Sequence, residues 1–187
     1  MEFILKEFLK CAELVSQENL TYSYTGNMSR IFSGKLYITR TGANFRNLSE
    51  GDILELPLEG ESILEERASS ELIVHRRVLR ETEHKALLHT HPVYAVMCSL
   101  KTKEITPLDS EGKAILGKVN VLELENSSAS EELAQNLAEE LKEKSIAVIK
   151  GHGVFAGAEN LIRAYEITSV LENSCKILLG VEYGGKG

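Results

Sequence analysis

Apolar residues return every three or four positions over the start of the chain, at Ile4, Leu5, Phe8, Leu9, Ala12 and Val15. That period predicts an amphipathic helix over residues 2–18. From residue 22 the pattern changes to short apolar or alternating runs, broken by Gly26-Asn27, Ser33-Gly34 and Thr41-Gly42. These runs predict strands at 22–25, 35–39 and 52–56. Leu58-Glu59-Gly60-Glu61 reads as a hairpin loop leading into 62–65. A helix is expected over 70–80 and a strand over 86–91. Pro92 suits the first turn of a further helix running through Val96 and Leu100. Residues 105–118 carry no clear period. A strand follows at 119–124, then a helix at 131–144 opened by the capping-box form Ser128-Ala129-Ser130-Glu131. Strands at 145–149 and 154–156 precede a last helix at 160–179. Its core stripe is Leu161, Ala164, Thr168, Leu171 and Cys175.

Strands in hairpin-like succession, then interspersed with helices, predict an α/β fold. The expected architecture is a central, mostly antiparallel mixed sheet covered by helices, not a doubly wound parallel sheet. A length of 187 residues without repeat, low-complexity tract or linker predicts one domain over 1–187. The Gly-rich end, Tyr183-Gly184-Gly185-Lys186-Gly187, is expected to fray.

Charge narrows the partners. A formal net charge of −7, from 21 basic and 28 acidic residues, argues against nucleic acid, which needs a basic face. It leaves room for a small anion held locally by backbone amides or a metal ion. No apolar run reaches the length of a membrane span. The first residues lack the basic start and apolar core of a secretory signal. Cys11, Cys98 and Cys175 are far apart, odd in number and set among apolar neighbours. They read as buried, inert thiols, which fits the cytoplasm.

The chemistry gathers at three histidines. His89 and His91 flank Thr90 at the end of the predicted strand 86–91. In extended backbone, side chains two apart share a face; on a helix they would diverge by about 200°. His152 follows another apolar run and lies between Gly151 and Gly153. Glycines there imply a positive φ or a close backbone approach. Three His ligands with an open fourth position is the layout of a catalytic zinc site, although imidazole also suits other divalent ions. His75 and His84 read as structural or solvated. Ser69, Ser70 and Glu71 stand at a helix start, where serines cap, exposed amides bind anions and a carboxylate favours the dipole. Thr25-Gly26-Asn27-Met28-Ser29 and Thr39-Arg40-Thr41-Gly42 are Gly-containing turns, explained by turn chemistry or by a shared anion cradle.

Taken in order, Gly26-Asn27-x-Ser29, Ile38-Thr39-x-Thr41-Gly42, Ser69-Ser70-Glu71, His89-x-His91 and Gly151-His152-Gly153 resemble the class II aldolase/adducin family, most nearly its L-fuculose-1-phosphate aldolase branch. The resemblance spans nearly the whole chain. It implies a three-layer α/β/α fold and a homotetramer with active sites near subunit interfaces. It implies Zn2+ bound by His89, His91 and His152, with Glu71 at the metal in the resting enzyme and acting as acid/base. It also implies that Asn27, Thr41, Gly42, Ser69 and Ser70 hold the phosphate of a small phosphorylated sugar. The reaction so implied is reversible cleavage of a ketose 1-phosphate to dihydroxyacetone phosphate and an aldehyde, through a metal-stabilised enediolate.

Two departures stand out. Tyr24 occupies the position of a family Thr, and the region Leu108-Asp109-Ser110-Glu111 lacks the Tyr that a neighbouring subunit supplies in the aldolases. The chain also ends soon after its final helix, which implies a short closing segment. Pentulose-5-phosphate 4-epimerases share the His set but carry Asp where Glu71 stands, and use a distal Tyr for which Tyr183 is the candidate here. Methylthioribulose-1-phosphate dehydratases are further zinc relatives. The adducin-like interaction branch lacks the histidines.

Overall fold

A computed structural model describes residues 2–184, the side chain of Tyr183 excepted. Eight strands form one sheet: β1 Asn27–Phe32, β2 Lys35–Thr39, β3 Ile53–Pro57, β4 Ala86–Thr90, β5 Glu104–Ile105, β6 Val119–Leu122, β7 Ile146–Ile149 and β8 Gly153–Ala158. Their order is β3-β2-β1-β4-β8-β7-β6-β5. Only the β6–β7 pair is parallel. The expected mixed, mostly antiparallel sheet is therefore present.

Six helices cover it: α1 Glu2–Gln17, α2 Leu72–Glu81, α3 Val93–Ser99, α4 Ser110–Ile115, α5 Glu131–Glu140 and α6 Leu161–Gly184. Side-chain alternation sorts them into two layers. Met28, Leu88, Val148, Val154 and Ala156 pack with apolar residues of α1, α3 and α6. Leu36, Ile38, Leu87, Ala147, Ile149 and Phe155 pack with α2 and α5 on the other face. Both faces of β4 and β8 are thus buried, and every residue of each is inaccessible. The result is the three-layer α/β/α arrangement.

Several local expectations differ from the fold. The predicted strand at 22–25 is a tight turn: the Thr25 amide donates to Tyr22 O at 3.1 Å, and Ser23 has φ 53°. The alternation of Tyr22, Ser23 and Tyr24 looks strand-like because the tyrosines are large, but both are exposed. The first strand begins at Asn27 instead. Residues 62–65 enter a 3-10 turn, Ile63–Arg67, where Ser62 and Glu65 form a reciprocal capping box. The helix expected to reach 144 stops at Glu140. Its cap is Ser130, whose hydroxyl accepts from the Leu133 amide, so Ser128 is released from the capping role assigned to it. The ambiguous stretch 105–118 holds α4, capped by Asp109. The last helix continues past 179 to Gly184, and the expected fraying of 185–187 lies outside the described residues.

Candidate active site

Strand β4 delivers its histidines at one end of the sheet. His89 is its penultimate residue and faces the α2/α5 layer, where its ring stacks on Phe155 at 4.0 Å with planes 13° apart. The antiparallel register places His89 beside Phe155 and Thr90 beside Val154. His91 lies one residue past the strand, its amide donating to Leu20 O at 2.9 Å. His152 stands on the tight β7–β8 turn, which returns the chain alongside β4.

Each glycine expected to serve His152 does so for a different reason. Gly151 has φ +69°, a backbone that L side chains rarely adopt. At Gly153 a Cβ would lie 2.5 Å from Thr90 O and 2.9 Å from His89 Cε1. The turn therefore comes as near to β4 as backbone can. As a result the ligating atoms of His89, His91 and His152 all lie within 4.8 Å of one another and can hold a metal ion.

The hydrogen bonds aim these rings. His89 Nδ1 donates to Val154 O at 3.0 Å, and His152 Nδ1 donates to Ser127 O at 2.6 Å. Each carbonyl can only accept, which places a ring proton on Nδ1 and leaves Nε2 as the nitrogen available to a metal ion. His91 Nε2 comes within 3.0 Å of His89 Nε2. Nitrogens around a tetrahedral zinc stand on the order of 3.3 Å apart. The donor set fits such an ion.

Glu71 lies beside His89. It is 3% exposed, and its Oε2 lies 3.5 Å from His89 Nε2. Asn27 Nδ2 donates to Oε2 at 3.1 Å and Ser128 Oγ donates to Oε1 at 3.2 Å. Burial pushes the carboxyl up; His89, the Asn27 amide, His75 and His152 outweigh it and hold the group below the ordinary glutamate range. The free site thus presents a carboxylate, whereas proton-transfer chemistry alone would call for a raised value. Burial lowers His89 as well, and takes His91 and His75 down to about 3.

Two contributors escaped the sequence reading. Ser128 looked like a helix cap yet bonds to Glu71. His75 is fully buried, bonded to Ser29 and Asn27, and edge-on to Phe155 at 6.4 Å. Its position one turn after Glu71 on the inward stripe of α2 was the available signal. His84 is structural: its Nε2 reaches the Leu141 and Lys144 carbonyls at 3.0 and 3.1 Å. The cysteines are free and buried, outside the histidine cluster.

The residues expected to bind phosphate are only partly gathered. A bridge between Arg40 and Ala68 sets the Thr41 turn against the α2 start, and Thr41 Oγ1 donates to Ala68 O at 2.8 Å. Thr41, Ser69 and Ser70 line one open groove of about 1180 Å3. Gly42 supplies the turn's positive φ of +71°. Asn27 instead points at Glu71 and His75. Of the two tyrosines in the turn before β1, Tyr22 meets the His91 ring edge-on at 6.0 Å, while Tyr24 is 66% exposed.

With this geometry in view, the chain belongs to the Class II Aldolase and Adducin N-terminal domain family, whose model matches residues 6–179. Within it the chain is an enzyme of the class II aldolase kind, a lyase. It is 30% identical over 175 residues to an L-fuculose phosphate aldolase of Methanocaldococcus jannaschii, covering 93% of this chain and 94% of that one. A 5-deoxy-D-ribulose 1-phosphate aldolase of Bacillus thuringiensis is 28% identical over 92% of this chain and 82% of its own. The crystal structure of L-fuculose-1-phosphate aldolase from Thermus thermophilus superposes with a TM-score of 0.94 at 36% identity, covering 100% of this chain and 98% of that one. Among the described residues, no helix is long and apolar enough to cross a membrane.

Two outcomes follow from the site. Gly153→Ala should force β8 off β4, lowering metal content and costing about 1–3 kcal/mol, read by elemental analysis and urea unfolding. His75 is neutral in the fold but titrates near 6.5 when unfolded, so its contribution is complete above pH 6.5 and is lost as pH falls toward 3. In chelator, stability should drop between pH 6.5 and 5, by up to about 1.4 kcal/mol per pH unit for this group. Urea midpoints across that window check it, and His75→Gln should flatten the slope.

Proposed function

We propose that this enzyme reversibly cleaves a ketose 1-phosphate, of the fuculose 1-phosphate type, to dihydroxyacetone phosphate and an aldehyde. The observation that carries this reading is the convergence of three histidine ring nitrogens beside the buried, hydrogen-bonded Glu71 carboxyl. His89, His91 and His152 would hold a divalent ion, zinc by preference for an all-imidazole set, with Glu71 beside it in the resting enzyme. When bound, the ion supplies Lewis acidity toward a carbonyl oxygen.

The remaining work falls to the chain. In cleavage, the aldehyde-forming hydroxyl gives its proton to the Glu71 carboxylate as the adjoining carbon–carbon bond breaks toward the ketone side. Glu71 then returns a proton to the carbon that received the electron pair, and in synthesis removes it. The carboxylate is the form that removes a proton. Thr41, Gly42, Ser69, Ser70 and Asn27 would bind the phosphate, using remote contacts to fix the reacting end. The Thr41, Ser69 and Ser70 groove supports that role; Asn27 would need to share its amide with Glu71.

The working form is proposed to be a homotetramer in the cytoplasm, with sites near subunit interfaces. Val93 and Met97 on α3 and Leu100 at its C-cap are exposed apolar residues soon after His91, and would gain by being covered. Light scattering should give the mass of four chains; a monomer would exclude this assembly.

The decisive assay offers the zinc-loaded enzyme fuculose 1-phosphate, pentulose 5-phosphates and methylthioribulose 1-phosphate. Dihydroxyacetone phosphate is expected from the first. An epimer or loss of water from the others, without cleavage, would replace this reading with an epimerase or a dehydratase. Glu71→Gln should keep zinc and lose about 100-fold or more in kcat. His152→Ala should lose zinc, and full occupancy by elemental analysis would sink the ligand assignment.

A further inference from the structure

His75 sits behind the site, in a hydrogen-bonded chain that runs from Glu71 through Asn27 and the imidazole ring to Ser29. Ser29 and Asn27 stand two apart on β1, so both face α2. His75 is on α2 one turn after Glu71, its amide donating to Glu71 O at 3.0 Å. Its ring fills the space between them: Nδ1 lies 2.6 Å from Ser29 Oγ, and Nε2 lies 2.5 Å from Asn27 Oδ1. Asn27 Nδ2 then donates to Glu71 Oε2.

For a neutral ring and an ionised Glu71, one assignment of protons satisfies all of these contacts. An ionised carboxylate can only accept, so Asn27 must turn its amide nitrogen toward Glu71. Its oxygen then faces the ring, and His75 must carry its proton on Nε2. Nδ1 is left as a lone pair and accepts from the Ser29 hydroxyl. Turning the ring over would put Cδ2 and Cε1 in place of Nδ1 and Nε2 and lose both hydrogen bonds. The ring is also packed against Phe155, the ring on which His89 stacks.

We propose that His75 is a positioning residue: by donating to Asn27 Oδ1 it fixes which way that amide points, and so aims the Asn27 donor that holds the Glu71 carboxylate against the histidine cluster. An Asn27 free to flip would turn its carbonyl oxygen on the carboxylate, an acceptor facing an acceptor. The role rests on the reading of Glu71 as acid/base. It gives β1 a part in the proton-transfer step that is separate from any contact with phosphate.

The test compares wild type, His75→Phe and His75→Gln. Phe fills the space without a donor, whereas the Gln side-chain nitrogen falls near the position of ring Nε2. Nitrogen-15 NMR of the metal-free wild type should show His75 neutral with its proton on Nε2; a proton on Nδ1 overturns the chain. His75→Phe should lose about ten- to hundred-fold in kcat, the usual scale for a residue that orients a ligand or base, with zinc content held. KM should stay within about threefold, and His75→Gln should return kcat to within about threefold of wild type. A folded Phe variant at wild-type kcat, or a Gln variant as slow as Phe, rejects the role. If the Phe variant does not fold, the tautomer and the Gln variant decide it. Absence of sugar phosphate cleavage by wild type would sink the aldolase reading instead, while the tautomer of the resting protein still tests the chain.

Discussion

Strands β4 and β8 lie side by side with Thr90 opposite Val154 and His89 opposite Phe155. Nearly everything at the site depends on that pairing. It supplies the Val154 carbonyl that fixes the His89 tautomer and the Phe155 face that fixes the ring plane. It also brings the His152 turn back to within reach of His91. The pairing is possible at that point because Gly153 has no Cβ to strike Thr90 O. A hydrogen-bonded ladder is rigid, so the lone pairs it presents are organised before any ion arrives, and little ordering remains to oppose binding.

Burying an ionised carboxylate in this place is costly unless every oxygen is hydrogen-bonded. Glu71 meets that requirement through donors from two distant segments, Asn27 on β1 and Ser128 before α5. The same fully partnered polar cluster continues through His75 to Ser29 on the sheet face otherwise covered by apolar residues of α2 and α5. Its stability requirement and its chemical use coincide: contacts that let the fold tolerate the charge also leave it aimed at the cluster and unprotonated.

The two positions at which the sequence departs from the aldolase pattern lie on a turn and on a short helix. The turn before β1 carries Tyr22 and Tyr24 at the surface, one of them edge-on to His91. The segment without the family tyrosine is a short helix capped by Asp109 in the layer of α6.

Periodicity carried much of the fold. The 3.6-residue stripe of α1, the short buried runs of β4 and β7 and the stripe of α6 were legible because burial on one face or both leaves a local mark. His89-x-His91 was legible for the same reason, since strand alternation alone puts both rings on one side, and the glycines around His152 announced a backbone constraint. What the chain could not show by itself was which groups meet across 40 or more positions. Ser128 carries the local signature of a helix cap, and only the fold reveals that Ser130 takes that role and frees Ser128 for Glu71. Tyr22 to Thr25 alternates like a strand, and only the fold shows the Thr25 amide closing it as a turn on Tyr22 O. His75 is an ordinary helical position until β1 passes over it. Sequence by itself determined the elements and the kinds of ligand, because those depend on near neighbours and on side-chain chemistry. Tertiary structure decided proton positions, partners and the state of Glu71, because each is set by atoms that folding alone brings together.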